Sequence, residues 1–476
     1  MERMAQRVFS ISDQERFAVA SGDRNPMHVD ALQARRTQAG APVVHGIHLL
    51  LWAIEQFAAT EPDLQPLRSV RAQFNDFVYL GEPAELRLAQ RQKSRIRLVI
   101  GVGIGTRVKI TLETGASDDS PAELSGVQNE IAQTSSAIIM DFDSVANCAG
   151  RFRFPMNADI AANLFPHASK WIGPNRIAGI AATTYLVGMV CPGLNSIFGE
   201  LSLKMCPEPG APDSLAFRVS ETDPRFRMIE QEVAGGGVTG IVKCFVRNPP
   251  VQQAGMETLR QLVGPAEFAD SIVLVIGGSR GVGELTAKLI AAGGGRVVIS
   301  FNKGEADAER VAAEIRASGG ACEVLHYDAG LAAADQIASL TEAPTHVYYF
   351  ATPAIFRPAL DVFDQKRFEE FTDIYVKGFW DLVKATCDRR ETVSFFYPSS
   401  VAVTERPAGM TEYSMAKAAG EVLCADIKQS MSAARVTVSR LPRLPTDQTA
   451  TITQVDEADP VATMLPIVRE VQSLPK

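Results

Sequence analysis

The chain has 476 residues, 46% apolar and 21% charged, with a net charge of −8 at pH 7. This length exceeds one ordinary domain and points to two or three soluble domains with sizeable cores. The acidic balance disfavours a nucleic-acid partner, and no run approaches the ~18 apolar residues of a membrane helix. The seven scattered cysteines and six unclustered histidines outline neither a disulfide framework nor a metal site. Met1 to Arg7 lead into an amphipathic stretch without an uninterrupted apolar core, so no secretory signal is evident and a cytoplasmic location is expected.

The first informative stretch is Ser21-Gly22-Asp23-Arg24-Asn25-Pro26-Met27-His28, with Val44-His45-Gly46 downstream. It sets a carboxylate and an imidazole five residues apart on a Gly/Asn/Pro-bounded turn, ahead of an apolar helix at about 43–57. Such a pair can move protons on two sides of a small reaction; the same residues also suit a plain Asx turn with His28 packed nearby. Strand-like runs follow at 69–74, 84–91, 95–104 and 107–113. A polar stretch at about 115–133 reads as a linker. The pattern then recurs, with a helix at 177–190 and strands at 196–204, 214–220, 226–234 and 239–247. One long helix followed by alternating antiparallel strands, occurring twice, predicts a double hotdog, with halves at 1–115 and 134–248.

Phe17 to His28, with Ala34 six residues past the histidine, resembles the MaoC-like, (R)-specific enoyl-CoA hydratase family. The resemblance implies that Asp23 and His28 are the catalytic dyad and that Asn25 helps hold it. Hydrating a 2-enoyl thioester needs one group for the C2 proton and one for the water at C3, and either residue could take either task. It also needs a donor for the enolate-like oxygen; a helix N-terminal N–H serves, and Gly46 would let the carbonyl approach. Asn25 and Gly46 are thus the candidate substrate and oxyanion positions. His45 is expected to shape the helix start, and His167, which lacks an aspartate partner, to be structural in a half that shelters the acyl chain.

A Pro-Pro linker at 248–253 opens the third part, a domain expected at 265–476. Strands at 271–276, 296–300, 322–325, 346–350, 392–396 and 435–439 alternate with helical segments, including 281–292 and 305–318. That alternation predicts a doubly wound parallel sheet of Rossmann type. Gly277-Gly278-Ser279-Arg280-Gly281-Val282-Gly283 lies between a strand and a helix, where a dinucleotide pyrophosphate sits on a helix N-terminus. Tyr413 and Lys417 share a helix face, and Ser400 precedes the tyrosine by thirteen residues.

This set resembles the short-chain dehydrogenase/reductase family over about 270–446. The resemblance implies that Tyr413 exchanges a proton with a carbonyl oxygen, that Ser400 holds that oxygen, and that Lys417 lowers the tyrosine pKa and binds the ribose. After the second strand, Asn302 and Lys303 replace an acid that would bind a ribose 2′-hydroxyl. Arg280 and Lys303 could neutralise a 2′-phosphate, so NADP(H) is expected, with Asp328 at the adenine. Three departures stand out: Phe350-Ala351-Thr352-Pro353 for Asn-Asn-Ala-Gly, Tyr375 for the helix asparagine, and Pro442-Arg443 for Pro-Gly.

The combined reading is a hydratase/dehydratase fused to a 3-oxoacyl reductase acting on acyl-CoA or acyl-carrier-protein thioesters, in either direction, as a homodimer. Two alternatives stay open: a hydratase with a degenerate nucleotide domain, and a non-enzymatic scaffold sensing NADP(H) or acyl thioester.

Overall fold

A computed structural model describes residues 2–61, 63–116, 124–207, 213–356, 362–449 and 455–474. The linker expected at 115–133 lies partly outside the described residues. The chain divides into two units, one over Met1–Pro249 and one beginning at Pro250.

The first unit is built on a ten-stranded antiparallel sheet. Its strands are β1 (Glu2–Val8), β2 (Leu67–Phe74), β3 (Pro83–Gln92), β4 (Arg95–Val102), β5 (Gly105–Thr114), β6 (Ala149–Arg153), β7 (Ser196–Met205), β8 (Ser214–Asp223), β9 (Met228–Gly235) and β10 (Val238–Val246). The spatial order is β1-β3-β4-β5-β2-β7-β10-β9-β8-β6. Read outward from the β2–β7 seam, where Ser69 faces Lys204 and Gln73 faces Glu200, the two five-stranded halves have the same order. Each half places one long helix between its first and second strands: Gly46–Thr60 and Pro174–Tyr185. Both helices are buried almost all round, as sequences such as Ile-His-Leu-Leu-Leu-Trp-Ala-Ile require. On β5 the buried residues Val108, Ile110 and Leu112 alternate with more exposed neighbours, so one face closes on the core.

The second unit carries six parallel strands, β11 (Ile272–Ile276), β12 (Arg296–Phe301), β13 (Cys322–His326), β14 (His346–Tyr349), β15 (Val393–Ser400) and β16 (Ala434–Leu441). Their order, β13-β12-β11-β14-β15-β16, is the 3-2-1-4-5-6 arrangement of a Rossmann-type sheet, with its switch point between β11 and β14. Separate apolar clusters, one around Tyr349 and Phe379 and one around Val275 and Leu285, complete the domain. All seven cysteines are free thiols. Among the described residues, no helix is long and apolar enough to cross a membrane.

Candidate active sites

In the first unit the helix Ile11–Ser21 ends at Gly22, whose φ of +77° favours glycine, and a Cβ there would strike Pro155 and Tyr185. The chain then turns into Asp23, which is 1% exposed. Its Oδ1 accepts from the Asn25 N–H at 3.1 Å, and its Oδ2 accepts from the Thr184 hydroxyl at 2.6 Å. Burial raises the Asp23 pKa above the ordinary carboxylate value; His28, Thr184 and Asn25 pull it back.

His28 stands on the short helix Pro26–Val29 and donates Nδ1–H to the Val43 carbonyl at 2.9 Å. That contact fixes the neutral tautomer and leaves Nε2 with a lone pair. Burial depresses the His28 pKa, opposed by the Asp23 charge. The His45 ring stacks on His28 at 3.8 Å between centroids. Its Nδ1 donates to Gln14 Oε1 at 2.8 Å, and its Nε2 lies 3.1 Å from the Asp23 carbonyl and 3.9 Å from Oδ2. Burial drives the His45 pKa well below its ordinary value, with His28 and His48 adding to the effect.

Asp23, His28 and His45 each bring a potential ligand atom within 4.8 Å of the others. Both Asp23 oxygens, His28 Nδ1 and both His45 nitrogens already have hydrogen-bond partners, which suits proton handling better than an ion. Asn25 braces the turn: its amide donates to the carbonyls of Gly188, Gly193 and Leu194, and its Oδ1 caps Met27 N–H. Gly46 opens the long helix, where N–H groups lack intrahelical partners, and a Cβ there would lie 3.0 Å from the Phe74 ring. His167 lies apart from the dyad and pairs with Glu55 at 2.6 Å.

In the second unit the glycine turn joins β11 to the helix Gly281–Ala292. Gly277 and Gly278 donate their N–H groups to Ser300 Oγ and O at 3.0 and 3.1 Å, which pins the turn to the end of β12. A Cβ on Gly283 would sit 2.2 Å from the Gly277 carbonyl, so only glycine fits there. The helix has no side-chain cap, which leaves its N-terminal N–H groups available to an anion. This turn fits a dinucleotide pyrophosphate. Ser279 is buried and Val282 half-buried in it, while Arg280 pairs with Asp447 at 3.2 Å. Asn302 and Lys303 are exposed at the end of β12, and the Asp328 carboxylate accepts from Gly330 N–H at 2.9 Å.

Ser400 ends β15, its Oγ accepting from Ala402 N–H at 3.2 Å, and Tyr413 lies on the helix Thr411–Ser430. The Tyr413 phenol was expected to be lowered by Lys417; burial instead raises it, with only Ser400 opposing. Lys417 is directed elsewhere. Its ammonium donates to the Pro398 carbonyl at 2.7 Å and lies 3.8 Å above the Tyr375 ring centroid, against 5.9 Å from the Tyr413 ring. Burial lowers the Lys417 pKa to about 7.

The MaoC like domain model matches residues 2–111, and the short chain dehydrogenase model matches 271–459. The chain joins a MaoC-like domain to a short-chain dehydrogenase domain. No curated protein matches it. Among solved structures it is similar to a short chain dehydrogenase from Burkholderia cenocepacia J2315 in complex with NADP, at 24% identity over 44% of this chain and 94% of that one, TM-score 0.38. It is also similar to a short chain dehydrogenase from Escherichia coli CFT073 complexed with NADPH, at 19% identity over 44% and 92%, TM-score 0.39. A 3-oxoacyl (acyl-carrier-protein) reductase from Agrobacterium tumefaciens C58 with NADP bound gives 20% identity over 38% and 73%, TM-score 0.36.

Around the MaoC-like dyad, sequence reading missed Thr184 and underrated His45. Thr184 comes from the far half, 161 residues beyond Asp23, so no local spacing points to it. The adjacency of His45 to Gly46 was the available signal. His45 does start the helix, and it also stacks on His28.

Proposed function

We propose that the protein is a bifunctional acyl-thioester enzyme: an NADPH-dependent 3-oxoacyl reductase and a reversible (R)-3-hydroxyacyl dehydratase. The observation that carries this reading is the presence in one chain of two proton-handling sets, Asp23/His28 and Ser400/Tyr413/Lys417, each in the matching family domain. The repeated helix and strand order of the first unit supports a double hotdog, with the Asp23 half catalytic.

The glycine turn from Gly277 through Ser279, Arg280, Gly281 and Val282 to Gly283 would hold the cofactor pyrophosphate. Asp328 would lie at the adenine, and Asn302 and Lys303 at a ribose 2′-phosphate. Arg280 divides its charge with Asp447, so Lys303 carries most of the NADP preference. NADPH bound there supplies hydride to C3 of a 3-oxoacyl thioester. Ser400 holds the C3 oxygen and Tyr413 donates the proton that completes the hydroxyl, with Lys417 on the same helix over the Tyr375 ring. In dehydration, Asp23 and His28 share two tasks: removing the C2 proton and protonating the departing C3 hydroxyl, which leaves as water. The free N–H at Gly46 holds the thioester oxygen as charge builds there. Asn25 keeps the turn in register. Free thiols suit a cytoplasmic setting, and we assign acyl-CoA or acyl-carrier-protein thioesters as substrates and a homodimer as the working form.

A second reading, a hydratase with a degenerate nucleotide domain, draws on the enclosure of Lys417 against Tyr375. NADPH oxidation with acetoacetyl-CoA, or its carrier-protein counterpart, separates the two. Reduction should vanish in Tyr413→Phe and persist in Asp23→Asn, while hydration of crotonyl-CoA shows the reverse. A parent that hydrates but oxidises NADPH with neither carrier form would leave only the second reading.

A further inference from the structure

The short-chain dehydrogenase domain departs from its family at Tyr375, and the surroundings of that residue give it a task. Tyr375 is wholly buried in a π-helical turn, Asp373–Gly378. Its ring stacks on Phe371, 5.7 Å between centroids and 7° from parallel. Its hydroxyl bonds Thr352 Oγ1 at 2.5 Å, which ties it to the loop after β14 where the family motif is also changed. The ring is therefore held on one face and at its tip. The Lys417 ammonium stands over it, 3.8 Å from the centroid.

That ammonium needs support. Glu421, one turn along the same helix, is engaged by Arg440 of β16 and by Ser399. The other groups facing Lys417 are Tyr397 of β15, with its ring centroid 5.1 Å away, and Tyr413 and Cys424 of its own helix. A single carbonyl, that of Pro398, accepts a hydrogen bond from it among the described contacts. Burial already drives the amine toward its neutral form near pH 7. The negative face of an aromatic ring opposes that drive, because it interacts with the cation and not with the neutral amine.

We propose that Tyr375 is a positioning residue for proton transfer, its ring face keeping Lys417 charged and in place on the helix it shares with Tyr413, where the family uses a hydrogen-bonding side chain. The inference rests on the reductase reading of Ser400, Tyr413 and Lys417. Its electrostatic consequence has a definite sign. Without the ring face the Lys417 pKa falls and the amine is neutral at working pH.

The test uses the full chain, labelled with 13Cε-lysine and titrated by NMR, with the Lys417 signal assigned through Lys417→Arg. Tyr375→Phe keeps the ring and should titrate with the parent. Tyr375→Leu and Tyr375→Met remove the ring, and Lys417 should then titrate about one pH unit lower. The two non-aromatic variants guard against one failing to fold, which circular dichroism reports. Lys417 titrating alike in the parent and the folded non-aromatic variants overturns this inference alone. A parent that neither reduces nor oxidises overturns the reductase reading alone, since the lysine titration does not need turnover.

Discussion

Asp23 is a buried carboxylate whose charge is held by three neighbours, and Thr184 is the one contributed by the second half of the first unit. Thr184→Val keeps a β-branched side chain of similar size and removes the hydroxyl that bonds Asp23. Removing it leaves Asp23 Oδ2 without a donor in a dry site. Hydrogen bonds to charged groups contribute about 1.5–3 kcal/mol, so Thr184→Val should cut hydration kcat/KM by roughly 10- to 100-fold. The sign on pH is also fixed. Thr184 lowers the Asp23 pKa, so its loss raises a value already lifted by burial: with Asp23 as base the acid limb of hydration moves to higher pH, and with Asp23 as acid the basic limb does. Crotonyl-CoA hydration measured across pH checks this, with NADPH oxidation as the internal control. A reduced rate with an unmoved limb would assign Thr184 to packing only.

At the scale of elements, the π-helical turn Leu186–Val190 does most to position the dyad. It continues the helix Pro174–Tyr185, and its widened turn closes with Cys191 N–H on the Leu186 carbonyl at 2.8 Å. Gly188 in that turn faces Asp23, and a Cβ there would lie 2.3 Å from Oδ1. Gly188→Ala should therefore displace the carboxylate and abolish hydration, while the Ser400/Tyr413/Lys417 set of the second unit keeps its rate. Retained hydration in both directions would mean that the turn yields more easily than a packed buried helix should. Nothing in the sequence announced this turn, because 177–190 reads as one apolar helix. The long central strands were legible from their alternation, and the parallel sheet from its alternating units. The edge strands β1 and β6 were not: β1 is mostly exposed, which hides any alternation, and β6 has five residues. Asp23 and His28 were legible because five residues of one turn bring them together. Thr184, Gln14 and the ring face of Tyr375 reach their sites through tertiary packing, which spacing does not encode.

For the whole molecule, burial places the pH responses of the two units in different ranges. His28, His45 and His48 in the first unit are all depressed by burial, His48 to about 3. Below pH ~6.5 the unfolded chain takes up protons that the folded one refuses, so stability falls as pH falls, by about 1.4 kcal/mol per pH unit for each such group. Asp23 works against this trend. Its raised native pKa means that the folded state binds a proton before the unfolded state does, which returns part of one proton's contribution toward pH ~4. In the second unit Lys417, lowered to about 7, costs stability that builds as pH falls from the unfolded value of ~10.4 to about 7, and adds no further slope in acid. Mild acid should therefore loosen the first unit before the second. Hydrogen exchange followed by mass spectrometry at pH 7.5 and 5.5 should show protection lost across 2–249 and largely kept across 255–449. His48→Gln tests the cause: it removes one titrating group from the core, so the urea midpoint of the first unit should fall less steeply between pH 6.5 and 4 than in the parent. An equal slope in the variant would assign acid sensitivity to groups other than the buried imidazoles.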